Sequence, residues 1–348
     1  MRRQPLVSVV VPVHNGARFL DRCLDACAAS SYANREVIVI DDASTDDSAA
    51  IAERHGVPVI RLPHQSGPGA ARNAGAERAN GEILFFVDAD VVVHVDAVER
   101  AMDRLEREPD VAAVFGSYDD APAERDIVSR YKNLQHHFVH QTSAVEAVTF
   151  WAGCGAIRRD AFKAVGGFDA ARYTRPSIED IELGYRLRAQ GYRIRLDKGL
   201  QGKHLKHWTL FSWLRADILG RAIPWSELIL DRKEILHDLN LKVSDRVSAA
   251  LMGLSVALLA VSLFRARLLW IVSLIMLTVG ILNRPFYAFL RRREGLWFVM
   301  VAIPLHFFYF FYCGVIFVIC WLARPLRLKL RAAPARPRRV NHRIGESR

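Results

Sequence analysis

The stretch Ile83-Leu84-Phe85-Phe86-Val87-Asp88-Ala89-Asp90 is an apolar run that ends in two acidic residues separated by one alanine. A short continuous run of this kind predicts a strand that is buried on both faces of a sheet. Side chains alternate along an extended segment, so the two carboxylates point the same way and can bind one divalent cation. The pattern is also typical of a turn after a strand, and a metal site and a simple turn both stay open at this point.

Short β-branched runs alternate with helical patterns on both sides of this stretch. We expect strands at 6–13, 36–40, 57–62, 83–87 and 111–116, and helices at 17–30, 45–55, 70–80 and 95–108. Strands that alternate with helices predict an α/β fold with a mostly parallel sheet flanked by helices. Such sheets bind ligands at the carboxyl ends of their strands, so the residues that follow each strand are the candidates for a site.

Three of the predicted strand ends carry polar residues. They read Pro12-Val13-His14-Asn15-Gly16, Asp41-Asp42-Ala43-Ser44-Thr45-Asp46 and Asp88-Ala89-Asp90. Asn-Gly is typical of a turn, and the Asp, Ser and Thr residues can serve as helix N-caps. Two adjacent acids at 41 and 42 are more than one N-cap requires, which favours a binding role at this rim of the sheet.

A glycine-rich segment, 66–75, reads Ser-Gly-Pro-Gly-Ala-Ala-Arg-Asn-Ala-Gly and leads into a predicted helix. Backbone amides at the start of that helix, together with Arg72, can bind a diphosphate. No Gly-Lys-Ser/Thr follows and the spacing is not GxGxxG, which argues against a P-loop kinase or a dinucleotide-binding enzyme.

The composition changes at residue 247. The segments 247–264, 268–282 and 296–322 contain no Asp, Glu, Lys or Arg. A bilayer crossing needs about 20 residues, so the first and third are long enough and the second is marginal. The sequence therefore predicts a head at 1–205, an interfacial segment at 206–246, a helical membrane region of two to four crossings at 247–323 and a disordered basic tail at 324–348.

The chain has a net charge of +11, and nine Lys or Arg lie between residues 324 and 348. A basic cluster directly after an apolar span is typical of contact with anionic lipid and argues against nucleic acid as the partner. The N-terminus leads into a predicted strand with no signal-peptide pattern, so we expect the head in the cytoplasm, on the inner face of the cytoplasmic membrane. The five cysteines form no CxxC pair, so we expect reduced thiols, with Cys23 and Cys27 packed on one helix face.

Four of these segments in their order resemble the motifs of family 2 glycosyltransferases, which have the GT-A fold. They are Val-Ser-Val-Val-Val-Pro-Val-His-Asn-Gly, Asp-Asp-Ala-Ser-Thr-Asp, Gly-Ala-Ala-Arg-Asn-Ala-Gly and Val-Asp-Ala-Asp. The resemblance covers about residues 6–205. It implies that a nucleotide-sugar donor contacts the rim, at Pro12, Val13, His14, Asn15, Asp41, Asp42, Arg72 and Asp88.

The resemblance also implies an acceptor site and a catalytic base in the second half of the head. The stretch from Trp151 through Gly153 and Cys154 is similar to the acceptor side of the family. The family's base lies at a Glu-Asp pair, which implies Asp180 as base and Glu179 as its support. Ser177 and Asp180 also have the spacing of a capping box, which would make Asp180 structural. Glu182 and Arg186 are expected to form an i, i+4 ion pair.

A divalent metal, Mg²⁺ or Mn²⁺, would stabilise the leaving nucleoside diphosphate. The resemblance implies Asp90 as the direct ligand, with Asp88 beside it. It also implies a histidine ligand after the predicted helix that carries Asp180, and we choose His204 over His207. His136 and His140 have a spacing that suits zinc, although we expect a solvated helix face there.

Residues 208–229 mix aromatics with arginines and are expected to seat the head on the membrane. Processive members of the family have Gln-x-x-Arg-Trp near this position. Arg221-Ala222-Ile223-Pro224-Trp225 departs from that motif, which argues against processive chain extension.

The sequence thus predicts a membrane-bound inverting glycosyltransferase that acts on a hydroxyl of a lipid-linked or cell-surface glycan. Two alternatives stay open. One is a polyprenyl-phosphate glycosyltransferase, whose phosphate acceptor needs no strong base. The other is a non-catalytic membrane scaffold that only binds sugar nucleotides.

Overall fold

The computed structural model describes residues 4–232, 239 and 242–332. The strands are β1 (Val7–Val13), β2 (Arg35–Asp41), β3 (Val59–Arg61), β4 (Ile83–Val87), β5 (Val91–Val93), β6 (Val111–Tyr118), β7 (Glu146–Ala147), β8 (Cys154–Arg158) and β9 (Arg193–His204). The helices of the head are α1 (Ala17–Ala28), α2 (Ser48–Arg54), α3 (Pro68–Arg78), α4 (Ala97–Arg107), α5 (Ile127–Thr142), α6 (Arg159–Ala164) and α7 (Glu179–Ala189). The predicted strands and helices of residues 6–116 are all present, with ends that differ by up to three residues.

The strands form one mixed sheet in the order β3-β2-β1-β4-β8-β6-β9-β5, and β7 pairs with β9. The pairs β1–β2, β1–β4, β2–β3 and β6–β9 are parallel, which confirms the mostly parallel sheet. β8 runs antiparallel between β4 and β6. This insertion brings residues 151–153, which precede β8, to the edge of the sheet where β4 ends.

The two faces of the sheet form two separate cores. Val9 and Phe85 lie on one face, where α1 and α4 cover them, and Val10 and Phe86 lie on the other, with α3 and α7. This alternation follows from the two-residue period of a strand. Cys23 and Cys27 are free and buried in the first core, which confirms packing as their role.

α5 joins the head to the C-terminal helices. Its side chains Tyr131 and Leu134 are fully buried against Trp213 and Phe298. We had expected the helix to present a solvated histidine face, and this prediction is wrong, because His137 and His140 are buried. The polar sequence of α5 fills an interface between two parts of the chain.

The interfacial segment forms α8 (Leu210–Asp217), a π-helical turn (Ile218–Ala222) and α9 (Ile223–Arg232). Phe211 and Leu219 are 76% and 60% exposed, whereas Trp213 is fully buried. The segment is therefore amphipathic, with one face on the protein and apolar side chains outward.

The C-terminal region consists of α10 (Val243–Ser262), α11 (Leu268–Leu282) and α12 (Arg284–Ala332). α10 and residues 284–328 of α12 are long and apolar enough to cross a membrane, and α11 is shorter. Gly295 interrupts α12 with a φ of 82°. We had expected the disordered basic tail to begin at 324, but residues 324–332 continue the helix, and Arg327 binds Glu227 and Asp231 of α9. Residues 333–348 of the predicted tail lie outside the described residues.

Candidate active site

The ends of β1 and β2 form one wall of the candidate site. Pro12 and Val13 are buried within β1, and His14 and Asn15 follow it as exposed residues. His14 Nδ1 donates a hydrogen bond to the carbonyl oxygen of Asp42, at 2.7 Å. Asn15 Oδ1 accepts from the amide of Thr45 at 2.8 Å. These bonds join the loops that follow the two strands, and they leave the outer ends of both side chains toward solvent.

Asp41 and Asp42 are both buried and both hold loops. Asp41 Oδ1 accepts from the amide of Ser44 at 2.9 Å. The carboxylate of Asp42 accepts from the amides of Ser66 and Gly67 at 2.7 and 2.8 Å. Asp42 therefore fixes the entry to the glycine-rich segment. The nucleotide contact that the resemblance implies for this pair stays a prediction.

Arg72 links the donor side of the site to α7, which carries the candidate base Asp180 and is called the base helix below. Its Nη2 lies 2.6 Å from Asp88 Oδ1, and its Nη1 lies 2.9 Å from Glu179 Oε1. Its side chain is only 5% exposed. Two carboxylates of the protein thus bind the guanidinium, and Arg72 holds the end of β4 against the start of α7. Contact of Arg72 with a diphosphate stays a prediction.

Asp180 lies next to this bridge, in the first turn of α7. Its Oδ2 accepts from the amide of Ala152 at 3.1 Å and its Oδ1 from the amide of Ile181 at 2.8 Å. Burial and the adjacent Glu179 carboxylate raise the pKa of Asp180 to about 7, although Arg72 opposes the rise. A carboxylate with a pKa near neutrality is suited to accept a proton at physiological pH.

The alternative of a capping box at Ser177 and Asp180 is wrong. The N-cap of α7 is Ile178, which makes no side-chain cap. The hydroxyl of Ser177 donates to the carbonyl of Gly220 instead, at 2.9 Å. Asp180 therefore has no capping role that would account for its position. The expected pair of Glu182 and Arg186 is confirmed at 2.8 Å.

Asp90 and His204 meet because β5 and the end of β9 are neighbours. His204 Nε2 lies 3.5 Å from Asp90 Oδ2. Burial favours the neutral form of Asp90, but His204 and Lys206 lower its pKa below the ordinary value. His207, the other candidate, lies 3.5 Å from Asp126 and is 44% exposed. The structure thus brings His204, and not His207, close to Asp90.

The two side chains fit a divalent metal by chemistry and spacing. A carboxylate and an imidazole are common ligands of Mn²⁺, and two ligands of one six-coordinate ion lie about 3 Å apart. Within the described residues, no group of three His, Cys, Asp or Glu side chains could hold a metal ion. Asp88 is engaged by Arg72, so Asp90 and His204 would hold the ion, with other oxygen ligands coming from the donor.

An aromatic stack that sequence reasoning missed supports this pair. The ring of Tyr118 lies parallel to that of His204, with centroids 4.1 Å apart. Trp151 meets Tyr118 edge-on at 4.9 Å, and His136 lies 4.2 Å from Tyr118 on its other side. Tyr118 is the last residue of β6, so the strand-end rule would have found it had the predicted strand not stopped at 116. The zinc alternative at His136 and His140 does not fit, because their rings stack at 4.0 Å and no acid completes a set among the described residues.

The acceptor-side residues differ in their access to the site. Trp151 is half-buried beside the aromatic stack. A Cβ on Gly153 would lie 2.5 Å from the Trp151 ring, so only glycine permits this packing. Cys154 is fully buried within β8. The prediction that Cys154 contacts an acceptor is therefore wrong, because its side chain is part of the core.

The head is similar in sequence to known glycosyltransferases. Residues 8–166 match the family model for glycosyl transferase family 2. An uncharacterized glycosyltransferase of Haemophilus influenzae is 36% identical over 28% of this chain, and chondroitin synthase of Escherichia coli is 28% identical over 38%. These matches span only 42% and 20% of the two relatives.

Solved structures extend the likeness beyond the head. The mannosyltransferase PcManGT of Pyrobaculum calidifontis, in complex with GDP-Man and Mn²⁺, superposes with a TM-score of 0.55 at 17% identity. The superposition covers 94% of this chain and 88% of that one. TarS of Staphylococcus aureus, in complex with UDP-GlcNAc, has a TM-score of 0.50 at 20% identity and covers 67% of each chain. At these identities the likeness establishes a shared fold.

Proposed function

We propose, because residues 8–166 match the model of glycosyl transferase family 2, that this chain transfers a sugar from a nucleotide-sugar donor to a hydroxyl group, with inversion at the anomeric carbon. The observation that carries the proposal is the Arg72 bridge. It holds the acidic end of β4 beside Glu179 and Asp180, which supports a donor site at this strand end next to a candidate base.

Asp180 is the proposed base. It accepts the proton of the acceptor hydroxyl while that oxygen attacks the anomeric carbon and the sugar–phosphate bond breaks. The nucleoside diphosphate leaves from the opposite face, so one displacement inverts the configuration. With a pKa of about 7, about half of Asp180 is ionised at neutral pH before the attack, and the same group can hold a proton after it.

A divalent metal, Mg²⁺ or Mn²⁺, held by Asp90 and His204 would offset negative charge on the leaving diphosphate. Asp88 and Arg72 keep the end of β4 in place, and Asp42 fixes the glycine-rich loop. Tyr118 and Trp151 form an aromatic wall between the proposed metal ligands and the acceptor side.

Membrane attachment is the second part of the proposal. In the two candidate spans only 17% and 28% of the residues in the apolar window are buried, which is unlike the core helix of a soluble protein. The exposed side chains of Phe211 and Leu219 would enter the interface beside them. We infer a cytoplasmic head on the inner membrane and a lipid-linked or cell-surface glycan as acceptor.

The test is Asp180→Asn, which keeps the size of the side chain and removes its basicity. We expect transfer to fall by about 10²–10⁴-fold, with nucleotide affinity nearly unchanged, measured by release of nucleoside diphosphate and by calorimetry. Transfer at the wild-type rate would remove Asp180 from the mechanism and favour a polyprenyl-phosphate acceptor. Absence of binding to any sugar nucleotide would favour the non-catalytic scaffold.

A further inference from the structure

Asp217, the last residue of α8, is a buried carboxylate that collects four hydrogen bonds. Its Oδ2 accepts from Lys132 Nζ, Trp213 Nε1 and the hydroxyl of Tyr312, at 2.9, 2.7 and 2.9 Å. Its Oδ1 accepts from Arg221 Nη1 at 2.9 Å. We call these five residues the Asp217 hub. Burial would favour neutral Asp217, but Lys132 and Arg221 lower its pKa below the ordinary value, so it is ionised.

The members of the hub come from four separate parts of the chain. Lys132 belongs to α5 of the head, and Trp213 to α8. Arg221 lies in the π-helical turn, and Tyr312 lies in the long apolar helix α12. A single carboxylate thus ties the head, the interfacial segment and the C-terminal helix together. The four donors use most of the hydrogen-bonding capacity of the Asp217 carboxylate. Because all four share this one group, loss of one donor is expected to loosen the positions of the other three.

The π-helical turn connects the hub to the base helix. The carbonyl of Gly220 accepts from Ser177 Oγ, three residues before Asp180. Trp225 Nε1 lies 3.2 Å from the hydroxyl of Tyr185 in α7, and Ile178 packs in the same apolar cluster. A π turn inside a helix is rare and occurs mostly at functional sites.

Arg221 also interacts electrostatically with residues of the site. Its side chain is 49% exposed although one nitrogen is bound to Asp217. Burial and the carboxylates of Asp90 and Asp88 raise the pKa of Tyr118, and Arg221 opposes that rise. Arg221 is therefore within electrostatic range of the aromatic wall, and Asp180 in turn stabilises its charge.

We propose that Asp217 and Tyr312 are positioning residues for the transfer reaction: the hub lets helix α12 set the place of Arg221 and, through the π turn and Ser177, of Asp180. The inference rests on the proposed function only for its kinetic consequence. The chain of contacts that runs from α12 through the Asp217 hub and the π-helical turn to α7 exists whatever the substrate is.

The experiment compares Tyr312→Phe with Tyr287→Phe in the full chain. Both changes remove one buried hydroxyl from α12, but Tyr287 is bonded to His306, at 3.1 Å, and not to Asp217. Each variant thus loses one buried hydrogen bond, and the loss at Tyr312 costs somewhat more stability because its acceptor is charged. Asp217→Asn serves as a stronger second variant, provided that it unfolds cooperatively.

We expect Tyr312→Phe to lower kcat about 5- to 10-fold with little change in the KM of the sugar nucleotide, which is about the net contribution of one hydrogen bond. The acid limb of the kcat profile should move to higher pH, because a displaced Arg221 no longer favours ionised Asp180. Tyr287→Phe should change kcat by less than about twofold. Equal kcat values and pH profiles for the two variants would overturn the inference.

Hydrogen–deuterium exchange separates this inference from the proposed function. Amides of residues 177–183 should exchange at least about threefold faster in Tyr312→Phe than in Tyr287→Phe. Unchanged exchange there would refute the coupling even in an active enzyme. Conversely, faster exchange in Tyr312→Phe, in a protein whose wild type transfers no sugar, would support the coupling while refuting the glycosyltransferase mechanism.

Discussion

Arg72→Gln is the change that the geometry of the site makes most informative. The guanidinium bonds Glu179, whose side chain is 5% exposed, and Asp88, whose side chain is 31% exposed. Glutamine keeps part of the volume and can donate one hydrogen bond, but it carries no charge. The substitution leaves the buried Glu179 carboxylate without its charged partner and next to Asp180.

The expected cost follows from this burial. Removing one partner of a buried ion pair costs about 3–5 kcal/mol, because the remaining charge stays away from water. The pairing with Asp88 adds little, since water reaches that carboxylate. A residual hydrogen bond from the introduced glutamine places the loss at about 3 kcal/mol. The unfolding temperature should therefore fall by about 6–12 °C.

The same substitution has a kinetic signature. Arg72 lowers the pKa of Asp180, so its removal raises that pKa above about 7. A base must be unprotonated to act, and the acid limb of the rate profile should therefore move to higher pH. A loss of stability alone would reduce the amount of folded enzyme without moving the pH profile.

The assay is thermal unfolding of the purified protein in detergent, followed by a pH–rate profile. Arg61→Gln is the matched control, because Arg61 and Glu53 form an ion pair whose side chains are 59% and 56% exposed, and such pairs contribute about 0–1 kcal/mol. The double variant Arg72→Gln, Glu179→Gln should unfold at a higher temperature than Arg72→Gln, since no buried charge is left unpaired. An Arg72→Gln protein as stable as Arg61→Gln would refute the reasoning.

Three further predictions concern pH, metal and packing. The transfer rate of the wild type should rise through about pH 7 as Asp180 ionises and fall about tenfold per pH unit well below it; a flat profile from about pH 5 to 8 would contradict this. Chelation of divalent cations, or His204→Ala, should weaken binding of nucleoside diphosphate in calorimetry; equal affinity in chelator would argue against the site at Asp90. Gly184→Ala should destabilise the fold by about 1–3 kcal/mol, because its Cβ would lie 2.5 Å from the amide nitrogen of Phe150. Gly280→Ala, which has open space, is the control and should unfold like the wild type.

The rim of the sheet could be predicted because it depends on local sequence. Strand alternation places Asp88 and Asp90 at the end of β4, and Asp41 and Asp42 precede a helix as expected, whereas Asp88 and Asp90 precede the short strand β5. The contact of Asp90 with His204 depends instead on the pairing of β5 with β9, across more than 100 residues. Only the family resemblance, and not the periodicity, pointed to His204.

The sequence did not predict which groups the polar side chains contact. An arginine near the start of a glycine-rich helix can bind a ligand, which is the role that the sequence predicts for Arg72. In the structure two protein carboxylates bind its guanidinium. The histidines of α5 look like a solvated face because their neighbours are polar. They are buried because the C-terminal helices cover α5, which no local pattern reveals.

The base helix α7 is held at its start from two directions, and this arrangement explains how a raised pKa can persist at Asp180. Arg72 fixes Glu179 from the donor side, and Ser177 is fixed by the π turn from the interfacial side. A carboxylate that could rotate into water would lose the desolvation that raises its pKa. The hydrogen bond from the amide of Ala152 also restrains Asp180, although it favours the ionised form. The pKa of the base therefore depends on contacts at both ends of the 177–180 segment, and loosening either end should change the pH profile.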